Sequence, residues 1–449
     1  MGEYFLPIMM MLALIAGIFS GYPVALLLAG IGVLFSFFGG INIMFLGTVV
    51  NRIFSGTLSN WLLLAVPLFI FMGLMLEKSD AARKLLLSLE RLFAGMRGGL
   101  AISVALLGIV MAASTGIIGA SVVLLGVLAL PVMLKQKYDK GLASGLICAS
   151  GTLGILIPPS IMLVLVGDIL NISVGDLFLG AIVPGLILGV LYVFYIISIA
   201  IFFPHKAPAG VVDVDDKRPL WLALASDLIA PVLLILGVLG SIVMGIATPT
   251  EAAAIGAFGT IIIAAFAKQL SWTNLKYCVY ETGKTTSMIL WVAIGATCFS
   301  VIFKRIGGDS MVEDAVMAIA SGPFMTLFII MALIFLLGFF LEWIEISYIA
   351  LPLFAPIVLA LDFGLGMSSS ETLVWFAILV AITLQTSFLT PPFGYALFYL
   401  KGIAPPEISM GDIYRSITPF VLLQLTGLAL AFAFPSLVLW LPRLVLGGD

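Results

Sequence analysis

Charge is scarce in this chain. Of its 449 residues only 10% are Asp, Glu, Lys or Arg and 62% are hydrophobic, whereas soluble domains carry about 25% charge. That scarcity excludes an ordinary water-soluble fold. Histidine occurs once, as His205 in a polar loop, and no catalytic or metal role is expected of it. The three cysteines, Cys148, Cys278 and Cys298, stand singly inside apolar segments without metal-ligand spacing, so no transition-metal site is expected and they read as packing residues. No nucleotide-binding G-x-x-x-x-G-K-[ST] loop occurs, so any work the chain does must draw on an ion gradient or on another subunit. A formal net charge of -3 argues against nucleic acid as a partner.

What the sequence has instead is apolar length. Runs of about 18 residues or more recur throughout, each long enough to cross a hydrocarbon core of about 30 Å. The N-terminal run begins with Glu3 and lacks a basic leader, so it reads as a retained helix and not a signal peptide. Spans are expected near 5–20, 22–39, 60–77, 99–134, 141–171, 177–203, 222–245, 250–267, 286–303, 323–361, 373–402 and 416–440. Residues 80–95 mix Lys and Arg with Leu at helical spacing and read as a helix lying in the interface. The polar stretch 204–220 divides the chain into halves as a loop.

Two spans are too long for one crossing. Segment 99–134 is flanked by Arg97 on one side and by Lys135, Lys137 and Lys140 on the other. Both ends therefore belong on the cytoplasmic side, and the segment reads as a re-entrant hairpin with its tip at residues 114–121. Segment 323–361 is flanked by Glu313, Asp314, Asp362 and Glu371, which permits a second hairpin entering from the periplasm. The halves also match in order. Pro23 pairs with Pro249, offset by 226 residues; Pro158 with Pro391, offset by 233; and Asp176 with Asp412, offset by 236. Three ordered matches with opposed hairpins indicate an inverted repeat.

Such repeats with interrupted helices are the architecture of secondary transporters, with the site where the halves meet. Irregular backbone at membrane depth is tolerated only where it is buried in protein or lines a wet cavity. Four interruptions qualify: 114–121, 150–160, 341–347 and 385–392. The first offers glycines, hydroxyls and free carbonyls suited to a small hard cation. Paired prolines in the second and fourth remove backbone donors and expose half-helix N-termini. Glu342 and Glu345 are ionisable groups at depth, which are costly and usually functional; Glu342 is expected to neutralise a bound cation or to carry a proton. An anion is expected between the two Pro-Pro breaks, near Pro158, Pro159, Ser160, Thr390, Pro391 and Pro392. Glu251 at a span start is expected to cap or to serve the scaffold, and Asp176 and Asp412 to cap the helices after them. Lys304 and Arg305 end a span and are expected to snorkel to the interface. An intramembrane enzyme would need a nucleophile–base or metal constellation that the chain lacks, so the reading is not an enzyme.

At these motifs the sequence resembles the large membrane subunit of the tripartite ATP-independent periplasmic (TRAP) transporters. The matching pieces are Leu64–Ile70, Ala149–Gly154 with Ile157–Ser160, Gly175–Phe178, and Thr248–Ala253, and the resemblance runs over essentially the whole chain. It implies an all-α polytopic protein of a bacterial or archaeal inner membrane, an inverted-repeat elevator with two re-entrant hairpins and two broken helices. Residues 1–98 would be scaffold helices and an interfacial arm, and 99–172 the first hairpin and broken helix. Residues 173–322 would be scaffold with the central loop and the start of the second repeat, 323–402 the second hairpin and broken helix, and 403–449 a last scaffold helix. The hairpins and broken helices would slide as a transport domain.

The resemblance further implies sodium coupling. One sodium would lie near Ser114, Gly116, Gly119, Ser121, Gly151, Thr152 and Gly154, the other near Glu342, Glu345, Gln385, Thr386 and Ser387. No organic cofactor is implied. Partners would be a separate small membrane subunit of about four helices, a soluble periplasmic binding protein, and a small organic anion, a carboxylate or sulfonate. The competing reading is a stand-alone ion-coupled organic-anion carrier without a binding protein. The tip here reads Ser-Thr-Gly-Ile-Ile-Gly-Ala-Ser where many members have a compact Ser-Gly-Ser-Ser type. Glu342 stands where many carry Asp, and it keeps the carboxylate.

Overall fold

The computed structural model describes residues 4–210, 218–319 and 321–447, and within these the side chains of residues 113–115 are not described. Every regular element among the described residues is helical. The first half contains α1 (Phe5–Ile18), α2 (Val24–Phe38), α3 (Ile43–Ile53), α4 (Ala65–Lys78), α5 (Ala81–Leu92), α6 (Gly99–Thr115), α7 (Ile118–Lys135), α8 (Lys140–Thr152), α9 (Ile161–Leu170) and α10 (Val174–Phe202). The second half contains α11 (Leu220–Val243), α12 (Pro249–Phe266), α13 (Trp272–Arg305), α14 (Gly308–Ile319), α15 (Pro323–Leu337), α16 (Trp343–Ala360), α17 (Ser369–Ser387), α18 (Tyr395–Ile403), α19 (Met410–Ala433) and α20 (Ser436–Leu446). Nine helical segments among the described residues are long and apolar enough to cross a bilayer.

Both long segments fold as hairpins. Helices α6 and α7 meet at Gly116, whose φ of +59° a residue with a side chain rarely adopts. Two adjacent residues then receive both ends of the hairpin: the Gly98 N–H donates to the Ala207 carbonyl at 3.0 Å, and the Asp139 N–H to the Lys206 carbonyl at 2.9 Å. A segment whose ends share one loop has entered and left on one face. For the second hairpin, α15 and α16, Phe324 at its start and Phe363 beyond its end lie ring to ring at 5.4 Å. The two faces are opposite. Lys140, beside the first hairpin, donates to the Glu407 carbonyl just before α19 at 3.2 Å, while Phe432 near the far end of α19 meets Phe324 at 6.1 Å. The 24 residues of α19 span about 36 Å at 1.5 Å per residue, enough to cross the hydrocarbon core.

The halves interlock as symmetry requires. A Cβ at Gly32 in α2 would stand 3.0 Å from Cys298 Sγ in α13, and one at Gly256 in α12 would stand 2.6 Å from Met72 Sδ in α4. Gly32 and Gly256 are 224 positions apart, and Met72 and Cys298 are 226 apart. Each half therefore lays its second helix, through a glycine, on the other half's matching helix.

Several expected ends are moved by local chemistry. Glu251 completes a capping box with Thr248, as its position at a span start suggested. Asp176 and Asp412 are not themselves the N-caps. Ser173 and Ser409 are, accepting from the N–H groups of Asp176 (3.3 Å) and Asp412 (3.1 Å), and the Asp412 carboxylate accepts the Ser409 N–H at 3.0 Å. The span expected at 286–303 is the end of the much longer α13, whose early turns are polar. The span expected at 416–440 breaks at Pro435 into α19 and α20. Helix α3 with its π turn to Leu58 was absent from the expected spans; it is short and largely exposed. Lys304 does not snorkel. Its ammonium donates to the Pro352 carbonyl at 3.0 Å, an acceptor left free because Pro356, four residues on, has no N–H.

Candidate functional site

The first hairpin closes over the first helix break. A Cβ at Gly108 would lie 2.5 Å from Ser150 Cβ, and one at Gly151 would lie 3.0 Å from the Val122 backbone N and Cα. Glycine at 108 and 151 thus lets α6 and α7 clasp α8 at its last turn. The tip follows: a Cβ at Gly116 would stand 3.3 Å from the Ile161 backbone N, so the turn abuts the start of α9. Ser121 is buried and donates to the Ile117 carbonyl at 3.1 Å. Thr152 is buried and donates to the Ala149 carbonyl at 2.9 Å. Ser150 is fully buried, and its Oγ has no hydrogen-bond partner among the described residues. Buried polar atoms are normally satisfied, so an unpartnered hydroxyl here is one of the groups that could hold a cation. Gly154 is buried in the 3₁₀ turn between α8 and α9. The side chain of Ser114 lies outside the described residues.

The second break is built in the same way. Ser387 Oγ donates to the Phe335 carbonyl at 2.8 Å, and Gly338 makes the room for Ser387. Thr386 donates to the Ile382 carbonyl at 2.8 Å and Thr390 to the Thr386 carbonyl at 2.7 Å. Gln385 is fully buried with neither amide atom hydrogen-bonded among the described residues. Glu342 stands at the N-cap position of α16, and Glu345 is in its first turn, 6% exposed, with Oε2 unpartnered. A buried carboxylate oxygen without a partner is costly and fits a cation as its missing companion.

Two adjoining cavities of about 720 and 640 Å³ lie beside the hairpin tips, while Ser150, Thr152 and Gln385–Ser387 line neither. Glu342, Tyr395 and Met288 line both. The larger is bounded by the first tip (Ile117, Gly119), the second tip (Glu342, Trp343), the second broken helix (Phe388, Tyr399) and the facing helices α4 and α13 through Glu77, Glu281 and Lys284. Glu345 lines the smaller. Tyr395 is held in place by its hydroxyl, which donates to the Phe340 carbonyl at 3.1 Å.

Not all expected residues meet as grouped. Gly119 lines the larger cavity but faces the other repeat and not Gly151: a Cβ on it would stand 2.9 Å from the Tyr399 ring. Pro158, Pro159 and Ser160 are buried, with Ser160 Oγ donating back to the Ile155 carbonyl at 2.7 Å. They do not line either cavity, and neither do Thr390, Pro391 and Pro392. The proline pairs turn the chain, and the residues after them reach the cavity: Tyr395 and Tyr399 do so from α18. Neither α9 nor α18 has a side-chain cap; in α18 the Ala396 and Leu397 N–H groups instead donate to the Phe388 and Gly394 carbonyls at 3.2 and 2.8 Å, so α9 is the half-helix whose first turn is the better candidate for an anion. Glu281 and Lys284 escaped the sequence reading although two ionisable groups in a helix that continues into an apolar run were a usable signal.

A family model described as the DctM component of tripartite ATP-independent periplasmic transporters matches residues 8–437. The C4-dicarboxylate TRAP transporter large permease protein DctM of Vibrio cholerae is 29% identical over 430 residues, 90% of each chain. Its Pseudomonas aeruginosa counterpart is 30% identical over 388 residues, 86% of this chain and 87% of that one. The isethionate TRAP transporter permease protein DctMQ of Oleidesulfovibrio alaskensis is 29% identical over 86% of this chain and 59% of its own length. In three dimensions the YdaH transporter of Alcanivorax borkumensis superposes with a TM-score of 0.62 over 88% of this chain and 90% of that one, at 14% identity.

Proposed function

The chain belongs to the family of DctM components of tripartite ATP-independent periplasmic transporters, and on that premise we propose that it couples sodium entry to uptake of a small organic anion. The family is one of inner-membrane transport permeases and not of enzymes. The coupling ion, the substrate and the moving parts are the proposal. In it, one sodium rests between the Gly116 tip and Ser150–Thr152, and a second between Glu342, Glu345 and Gln385–Ser387. The observation that carries this is the convergence of both hairpin tips on one cavity, with Glu345 and its unpartnered Oε2 lining the cavity that adjoins it.

Relatives at nearly equal identity bear the names of C4-dicarboxylate and isethionate transporters, which supports a carboxylate or sulfonate as the substrate class. The substrate anion would lie in the cavity near the half-helix N-termini, with sodium offsetting the nearby carboxylates. The hairpins and broken helices would move as one body against α4, α12, α2 and α13. Substrate would arrive on a soluble periplasmic binding protein, and a small membrane subunit would complete the permease. The match to only 59% of the protein named DctMQ supports a second membrane component beyond this chain. The test is uptake of labelled organic acids into proteoliposomes holding this chain and its small subunit. Uptake that requires both an inward sodium gradient and the binding protein supports the proposal. Sodium-driven uptake by this chain alone favours a stand-alone carrier.

A further inference from the structure

A chain of buried polar side chains runs between the two helix breaks, and the proposed transport scheme uses its ends, Thr152 and Gln385, but not its middle. Gln424 in α19 and Tyr192 in α10 are both fully buried. Gln424 Nε2 donates to Tyr192 Oη at 2.8 Å and to Thr152 Oγ1 at 3.2 Å. Gln424 sits 14 residues after the first residue of α19 and nine before its last, about 21 Å and 14 Å along the axis, and so near the middle of the bilayer. Three polar residues at that depth are expensive relative to leucine. Packing alone does not call for them.

The ends of the chain are symmetry mates. Thr152 and Gln385 are 233 positions apart, the same offset that relates Pro158 to Pro391. Tyr192 also comes within reach of Gln385, though neither Gln385 amide atom makes a contact of full hydrogen-bond geometry among the described residues. One end is therefore tied and the other open. Thr152 is held as donor to Ala149 and acceptor from Gln424. Gln385, with no contact of full hydrogen-bond geometry at its amide, is free to turn toward or away from Tyr192. A side chain that can make or release one contact is a two-state element, which is what coupling between sites requires. Linked hydrogen bonds in a low-dielectric interior also polarise one another, so a change at one end is felt at the other.

We propose that Tyr192 and Gln424 are positioning residues that couple the two helix-break cation sites, so that filling one site raises the affinity of the other. This rests on the sodium-coupled reading above. A cation taking Gln385 Oε1 as a ligand fixes the amide. Its Nε2 then has Tyr192 Oη as an acceptor, and the tie reaches Thr152 through Gln424.

The experiment is the sodium dependence of uptake by the complete transporter in proteoliposomes. The variants are Tyr192→Phe, which removes one oxygen, and Gln424→Met, which keeps the side chain's length and shape. In the parent protein the sodium curve is sigmoidal, with a Hill coefficient between one and the number of cation sites. In both variants the coefficient falls to about one and half-saturating sodium rises roughly fivefold or more, while the rate at saturating sodium is retained. A lower maximal rate with the sigmoid unchanged overturns the inference and leaves sodium coupling standing. So does a parent curve that is sodium-dependent but hyperbolic. A parent protein indifferent to sodium sinks the transport reading itself. Loss of folding in both variants assigns the chain a structural role and also overturns the inference.

Discussion

Asn60 Nδ2 donates to Asp168 Oδ1 at 2.6 Å, joining the loop before α4 to the last turn of α9. Under the proposed mechanism α4 stays still and α9 moves, so this hydrogen bond must break in each cycle. Cysteines at 60 and 168, bridged by a short bifunctional thiol reagent in a background lacking Cys148, Cys278 and Cys298, are expected to stop uptake, and cleaving the bridge to restore it. Undiminished uptake by the bridged protein would show that the two segments travel together.

Glu342 lines both cavities and is assigned to the second cation. Glu342→Ala is expected to cripple uptake, raising half-saturating sodium by at least the 10–100-fold typical of lost metal-site groups, roughly. Glu342→Asp keeps the carboxylate and should retain sodium dependence. Full activity of the alanine variant removes this residue from the mechanism.

The clasp of the first hairpin predicts a contrast between glycines. Gly108→Ala and Gly151→Ala each place a methyl against α8 or α7 where none fits, and should lower stability by about 1–3 kcal/mol, the usual cost of overpacking. Gly237→Ala in α11 meets nothing within 4 Å and should be neutral or slightly stabilising, since alanine favours helix over glycine. Thermal unfolding of the purified protein separates the two outcomes.

Two polar ties should differ in the same assay. Lys304 satisfies the Pro352 carbonyl inside the helix packing, so Lys304→Met leaves that oxygen unpaired and should cost about 1–3 kcal/mol. Arg443 pairs with Glu371 at a partly exposed helix end, where an ion pair is worth only about 0–1 kcal/mol. Arg443→Ala should accordingly leave unfolding nearly unchanged.

The frame of the molecule was readable because it rests on local rules. Lys135, Lys137 and Lys140 mark where the first hairpin returns, and the shared loop at Lys206 and Ala207 shows that return directly. The Pro-Pro pairs mark where helices must stop. Residues without such a rule stayed hidden. Helix α3 is short, and the early turns of α13 are too polar to read as a span. Gln424 and Tyr192 are single polar residues within long apolar runs, and only the crossing of α10, α19 and α8 gives them partners. The cavity residues divide along the same line. Glu342 announced itself as a charge at depth, while Tyr395 and Tyr399 depend on how the chain leaves the second proline pair.

The central claim is that ions drive this permease through its two hairpin sites. It is tested most directly by labelled organic-acid uptake into proteoliposomes containing this chain with its small membrane subunit and binding protein, with sodium imposed as the sole gradient. The account predicts accumulation against the substrate gradient that follows sodium and collapses in Glu342→Ala. Equal uptake in sodium-free buffer, or an unaffected Glu342→Ala variant, would contradict it.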